Sequence, residues 1–98
     1  MSYRVQIHPS VARKLITWQL PDFALVEVYL RLRDRLRENP ASQLRRARRP
    51  FEGMVYEFSF VDVENRLCEH HFVFHVVYGQ DEETLLIANG GYKRQIGL

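Results

Sequence analysis

Met54-Val-Tyr-Glu-Phe-Ser-Phe60 and Leu67-Cys-Glu-His-His-Phe-Val-Phe-His-Val-Val-Tyr78 are the stretches that decide the fold. In the first, Met54, Tyr56, Phe58 and Phe60 share one parity and Glu57 and Ser59 the other, the signature of a strand with one buried face. The second is a long β-prone run rich in Phe and Val. Glu64-Asn65-Arg66 supplies a turn between them, Gly79-Gln80-Asp81-Glu82 supplies another, and Thr84 to Asn89 reads as a final strand. Three strands joined by short polar turns predict an antiparallel meander.

Working outward from the meander, Tyr3 to Ile7 alternates apolar and polar residues and predicts a short strand at the edge of the sheet. Pro9 is placed to enter a helix after His8, and Val11, Leu15 and Trp18 form its apolar stripe. Pro21-Asp22 ends that helix and opens a second. There Leu25, Tyr29, Leu32 and Leu36, widened by Val26 and Leu30, predict the buried face, and Asn39-Pro40 stops it. Ala41 to Glu52 begins as a frayed turn and carries Arg45, Arg46, Arg48 and Arg49. The expected architecture is α+β: two N-terminal helices packed on a small, mainly antiparallel four-stranded sheet, in one domain spanning 1–98.

The composition fits such a domain. The chain has 98 residues, 46% of them hydrophobic and 27% charged, so it can fill one core and is not of disordered type. A single cysteine, Cys68, excludes an internal disulfide, and no Cys/His spacing resembles a zinc motif, so no metal or cofactor is expected. The opening Met1-Ser2-Tyr3-Arg4 lacks an apolar signal region and no run is long enough to span a bilayer. The expected location is therefore cytoplasmic, with no membrane partner. Net charge is only +2, but through Glu52 there are eleven Lys/Arg against five Asp/Glu, and from Gly53 onward three against seven. That asymmetry can attract phosphates despite a modest total.

Two groups could carry chemistry. Arg45, Arg46, Arg48 and Arg49 can hold phosphates bidentately, which makes them candidates for RNA binding; a solvated loop or an acidic protein partner fits the same cluster. Gly90-Gly91-Tyr92-Lys93-Arg94-Gln95 places a phenol and two cations after the last strand. Tyr92 can stack on a base or transfer a proton, and Lys93 and Arg94 can neutralise charge on a phosphorane. A basic tail with Tyr92 packed on the sheet edge is the other reading. In an extended strand His71 and His75 share a face but stand about 13 Å apart, so they cannot grip one ion or act as a pair on one phosphate. Either could serve alone near a phosphate, or be an ordinary sheet histidine. His70 faces the other way with Phe72 and Phe74. Cys68 reads as structural, and Glu57 as the partner of a nearby arginine more than as a base.

The order of these pieces resembles the RelE/ParE superfamily, the small toxins of bacterial toxin–antitoxin modules, over nearly the whole chain. The resemblance is carried by the opening strand, the helical pair, the Asn39-Pro40 stop, the basic approach to Gly53-Met54-Val55-Tyr56-Glu57-Phe58, the strand ending Val76-Val77-Tyr78, and Gly91-Tyr92-Lys93-Arg94. Gly-x-x-Tyr-Glu and Tyr-Lys-Arg look most like the HigB-type branch. The resemblance implies a metal-independent endoribonuclease that cuts messenger RNA on the ribosome and is restrained by a cognate antitoxin. It implies attack of a 2′-hydroxyl on the adjacent phosphate, leaving a 2′,3′-cyclic phosphate. Tyr92 matches the family's C-terminal aromatic, Lys93 and Arg94 its trailing basic pair, and Arg45 to Arg49 its basic segment. Two positions depart from the pattern: Phe58 stands where an arginine is usual, and His71, Phe72 and His75 occupy the start of a strand that tends to carry another. A histidine replacing an arginine is one reading of that departure. ParE-type relatives inhibit DNA gyrase instead, and a non-catalytic domain binding an acidic protein is a third reading. If the toxin reading holds, Tyr92→Phe and Lys93→Ala should reduce cleavage with thermal stability nearly unchanged.

Overall fold

A computed structural model describes residues 3–48 and 53–97. The α+β architecture is as expected, but among the described residues the sheet has five strands and the helical part three helices. Strand β1 is Arg4–Ile7, helix α1 Pro9–Thr17, helix α2 Asp22–Leu30 and helix α3 Pro40–Gln43; strands β2 Arg45–Arg46, β3 Met54–Val61, β4 Cys68–Tyr78 and β5 Thr84–Ile96 follow. The sheet order is β1-β5-β4-β3-β2, antiparallel except for the parallel pair β1–β5. The fifth strand, β2, lies inside the segment expected to be a basic connector, where Arg45 and Arg46 pair with Val55 and Met54. A two-residue strand leaves no periodicity to read.

α1 buries Val11 and Leu15 as its spacing predicts. α2 corrects the expected face: Ala24, Val28, Leu32 and Leu36 are fully buried, Leu25 and Tyr29 are partly buried, and Val26 and Leu30 are exposed. The segment Phe23-Ala-Leu-Val-Glu-Val-Tyr-Leu30 is apolar nearly all round, so its pattern cannot choose a face. Spacing by four drifts ~40° per step on 3.6-residue geometry. The π turn Arg31–Arg35, where Leu36 N–H donates to Arg31 C=O, widens the repeat and offsets part of that drift. A 3₁₀ turn, Leu36–Glu38, completes the segment before Asn39 breaks it at φ −155°, and Pro40 enters the short α3.

The helices cover one face of the sheet. Phe58, Phe72 and Phe74 stack across β3 and β4 beneath them, with Phe58 and Phe72 ring centroids 5.2 Å apart. Phe58, the position that departs from the family pattern, is thus a core residue with the Arg31 guanidinium 4.9 Å above its ring. Burial alternates strictly along β4 from Cys68 to Val76, even positions inward and odd positions toward the opposite face. No helix among the described residues covers that face, and it is called the uncovered face below. β5 does not end at Asn89 but continues to Ile96, so the glycine-rich C-terminal stretch is strand and not tail. Between them the register slips: His75 pairs with Asn89 but Val76 with Ile87, leaving Ala88 as a one-residue bulge. Leu85 and Ile87 point under the helices before the bulge, Gly90 and Tyr92 after it. No helix among the described residues is long and apolar enough to cross a membrane.

Candidate functional site at the C-terminal strand

Because neighbours in a strand face opposite ways, β5 divides the sequence-predicted residues between two surfaces. On the helix side, Tyr92 pairs across β4 with Phe72 and stacks on Trp18, with ring centroids 5.5 Å apart. Its hydroxyl lies 2.6 Å from His70 Nδ1, and Arg94 Nε donates to the same oxygen at 3.2 Å. His70, fully buried, reaches Asp62 Oδ2 through Nε2 at 3.1 Å. Asp62 Oδ1 in turn accepts from the backbone N–H groups of Glu64 and Asn65 at 2.9 and 3.1 Å, fastening the β3–β4 turn. The hydrogen bond from Glu64 N–H first, then the His70 contact and the bond from Asn65 N–H, hold the Asp62 carboxyl below the ordinary carboxylate range.

The protons in this chain follow from donor and acceptor chemistry. Ionised Asp62 only accepts, so Nε2 of His70 carries the hydrogen between them. Arg94 only donates, so the Tyr92 oxygen accepts from it, and in the Nε2–H tautomer Nδ1 is the acceptor that faces the Tyr92 hydroxyl. The sequence reading missed His70 and Asp62. Parity does place His70 inward, but nothing local pairs it with a carboxylate eight residues away across a turn. Cys68 Sγ, Asp62 and His70 bring ligand atoms within 4.8 Å of one another, a donor set of metal-binding type. Asp62 and His70 are bonded to each other, and we read the group as a hydrogen-bond network.

On the uncovered face, His71 pairs in register with Lys93 on one side and Ser59 on the other, so the side chains of this row are close neighbours. The next row is Glu57, Val73 and Gly91. Together these residues line an open groove of about 490 Å³. Gly91 is its floor, for a Cβ there would meet nothing within 4 Å. His71 Nε2 is buried without a hydrogen bond and stands 3.8 Å from Glu69 Oε2. His75 lies on the same face two rows away, opposite Asn89 and Val55, and so does not join His71.

The basic segment is divided as well. Arg45, half-buried, forms an ion pair with Glu57 and donates to Arg46 C=O at 3.2 Å, the pairing favoured for Glu57. Arg46 and Arg48 are exposed, and Arg49 lies outside the described residues. β2 is at the far edge of the sheet, three strand spacings or ~14 Å from β5. Arg45 and Lys93 therefore border one face without meeting at one phosphate.

No protein-family model and no curated protein matches the sequence. Among solved structures, the chain is similar to a chain of the crystal structure of the toxin–antitoxin complex RelBE2 from Mycobacterium tuberculosis. The TM-score is 0.65 at 16% identity, over 95% of this chain and 100% of that one. The likeness is one of fold, and it agrees with the RelE-type architecture that the sequence resemblance implies.

Proposed function

We propose that the chain is the toxin of a type II toxin–antitoxin module, of the RelE/HigB kind, and that it cleaves messenger RNA on the translating ribosome in the cytoplasm. The observation that carries this reading is the Tyr92 hydroxyl with Arg94 Nε 3.2 Å away, a proton-transfer group and a cation side by side. Cleavage by a neighbouring 2′-hydroxyl asks for those two things: removal of the hydroxyl proton, and stabilisation of the charge that grows on the phosphorane. Lys93 and His71 supply binding from the other face. β1 stops opposite Ile87, so among the described residues no strand covers β5 beyond it on that side. An RNA backbone crossing this edge meets Lys93 on one surface and Tyr92 and Arg94 on the other. Arg45, Arg46 and Arg48 extend the basic border, where RNA or the acidic surface of an antitoxin would be held. The fold shared with a chain of a toxin–antitoxin complex supports a cognate antitoxin as partner.

The test is a purified translation system programmed with a reporter messenger RNA, with 5′ ends mapped after the protein is added. New 5′-hydroxyl ends that require active ribosomes are expected. Intact transcripts with folded protein would refute the proposal, and inhibited DNA supercoiling in a parallel assay would assign the fold to a gyrase inhibitor instead.

A further inference from the structure

His70 is a completely buried imidazole with both ring nitrogens engaged, and nothing in the reading above requires it. A buried histidine in a sheet of Phe and Val is more simply replaced by another apolar residue. Here it joins an anionic carboxylate to a half-buried phenol at the candidate centre. We propose that Asp62 and His70 are positioning residues that form a proton relay behind Tyr92, making its hydroxyl the group that takes the 2′-hydroxyl proton of RNA. The inference rests on the reading of the chain as an RNA-cleaving toxin and adds the means by which a phenol acts as a base.

Asp62 fixes the Nε2–H tautomer, as the carboxylate of a Ser-His-Asp triad fixes its histidine. Nδ1 is then a free acceptor pointed at the phenol. As the 2′-oxygen attacks phosphorus, its proton passes to Tyr92 Oη while the phenolic proton passes to His70 Nδ1. The imidazolium so formed is stabilised by Asp62, and Arg94 N–H steadies the phenol oxygen throughout. The bond from phosphorus to the 5′-oxygen breaks, and that oxygen leaves with a proton from solvent. The products are a 2′,3′-cyclic phosphate and a 5′-hydroxyl, and the imidazolium returns its proton to water. The Cys68 thiol and the Arg94 guanidinium belong to the same cluster, and the rings of Trp18 and Phe23 pack against Tyr92 and His70. The Arg31 guanidinium lies over Phe60 beside His70, and Lys14 Nζ donates to Gly90 C=O two residues from Tyr92.

Asp62→Asn is the informative change. Its amide oxygen keeps the bonds from Glu64 and Asn65 N–H, while its NH₂ now donates to Nε2 and forces the other tautomer, so Nδ1–H points at Tyr92. Single-turnover cleavage should fall about 10²- to 10⁴-fold with RNA affinity unchanged, and the pH–rate profile should lose its acid limb. His70→Gln should behave alike. Nitrogen-15 shifts of the His70 ring in the parent protein report the tautomer without any RNA. A protonated Nε2 beside an unprotonated Nδ1 is expected at neutral pH; the reverse, or a doubly protonated ring, overturns the relay even if Asp62→Asn does not fold. Parent-rate cleavage by Asp62→Asn overturns it too. A parent protein that cuts no RNA in translation refutes the proposed function, while the tautomer still decides the relay geometry.

Discussion

The two faces of β5 differ in how much of their geometry is already fixed. Toward the helices, Tyr92 is stacked on Trp18 and hydrogen-bonded to His70 and Arg94, so its hydroxyl has a set position and polarity. Toward the uncovered face, Lys93 is exposed at the rim of an open groove with Gly91 as its floor. Adjacent residues of one strand are thus suited to different work. A pre-organised group loses little on reaching a transition state, whereas an exposed cation contributes salt-dependent attraction.

The largest expected effect breaks the helix side. Tyr92→Phe should reduce cleavage by about 10²- to 10⁴-fold, measured by single-turnover assay. The structure also revises the expectation that stability would hardly change. The substitution removes the hydroxyl partner of a fully buried ring, and urea unfolding should show a loss of about 1–3 kcal/mol.

Next comes a pair of neighbouring glycines on opposite faces. A Cβ at Gly90 would lie 2.8 Å from Phe74 Cδ1, and Phe74 is fully buried and cannot retreat. Gly90→Ala should therefore cost about 1–3 kcal/mol. Gly91→Ala meets open space and should be within about 0.5 kcal/mol of the parent or slightly stabilising. Equal losses at both positions would show that the faces are not as described.

Lys93→Ala should be milder. RNA affinity should drop several-fold and its salt dependence become shallower by about 0.7 in logarithmic slope, the signature of one lost phosphate contact on a single strand. The melting temperature should not move.

The smallest effect is at low pH. Asp62 and Asp81 fasten the two hairpin turns; Asp81 accepts from Glu83 N–H first and from Thr84, and both carboxyls are held below the ordinary range. Their stabilisation is complete above the unfolded value of ~3.9 and is lost as pH falls through the lower folded values. Urea midpoints of parent and Asp81→Asn proteins should therefore converge as pH drops below about 4. A constant gap would show that Asp81 contributes nothing as an anion.

Much of the fold was legible because burial on one face imposes a period. β3 and β4 alternate, α1 shows a stripe at four and three, and Asn39-Pro40 cannot continue a helix. Legibility failed where a pattern was uniform or too short: α2 is apolar on every side, β2 is two residues long, and Gly90-Gly91 has no side chains to alternate. The C-terminal group is one stretch in the sequence, but β5 divides it between two faces. The carboxylate and histidine that orient Tyr92 come from positions 62 and 70, whose link exists only once the β3–β4 turn closes.

The sequence by itself determined that Tyr92, Lys93 and Arg94 would follow a β-rich core and that His70 would face inward with Phe72 and Phe74. Only the tertiary structure decided which of Tyr92 and Lys93 would share that inward face. With an unbroken register the parity of Leu85 and Ile87 would carry Lys93 under the helices. The extra residue at Ala88 reverses it, because a one-residue shift in a period-two strand exchanges its faces.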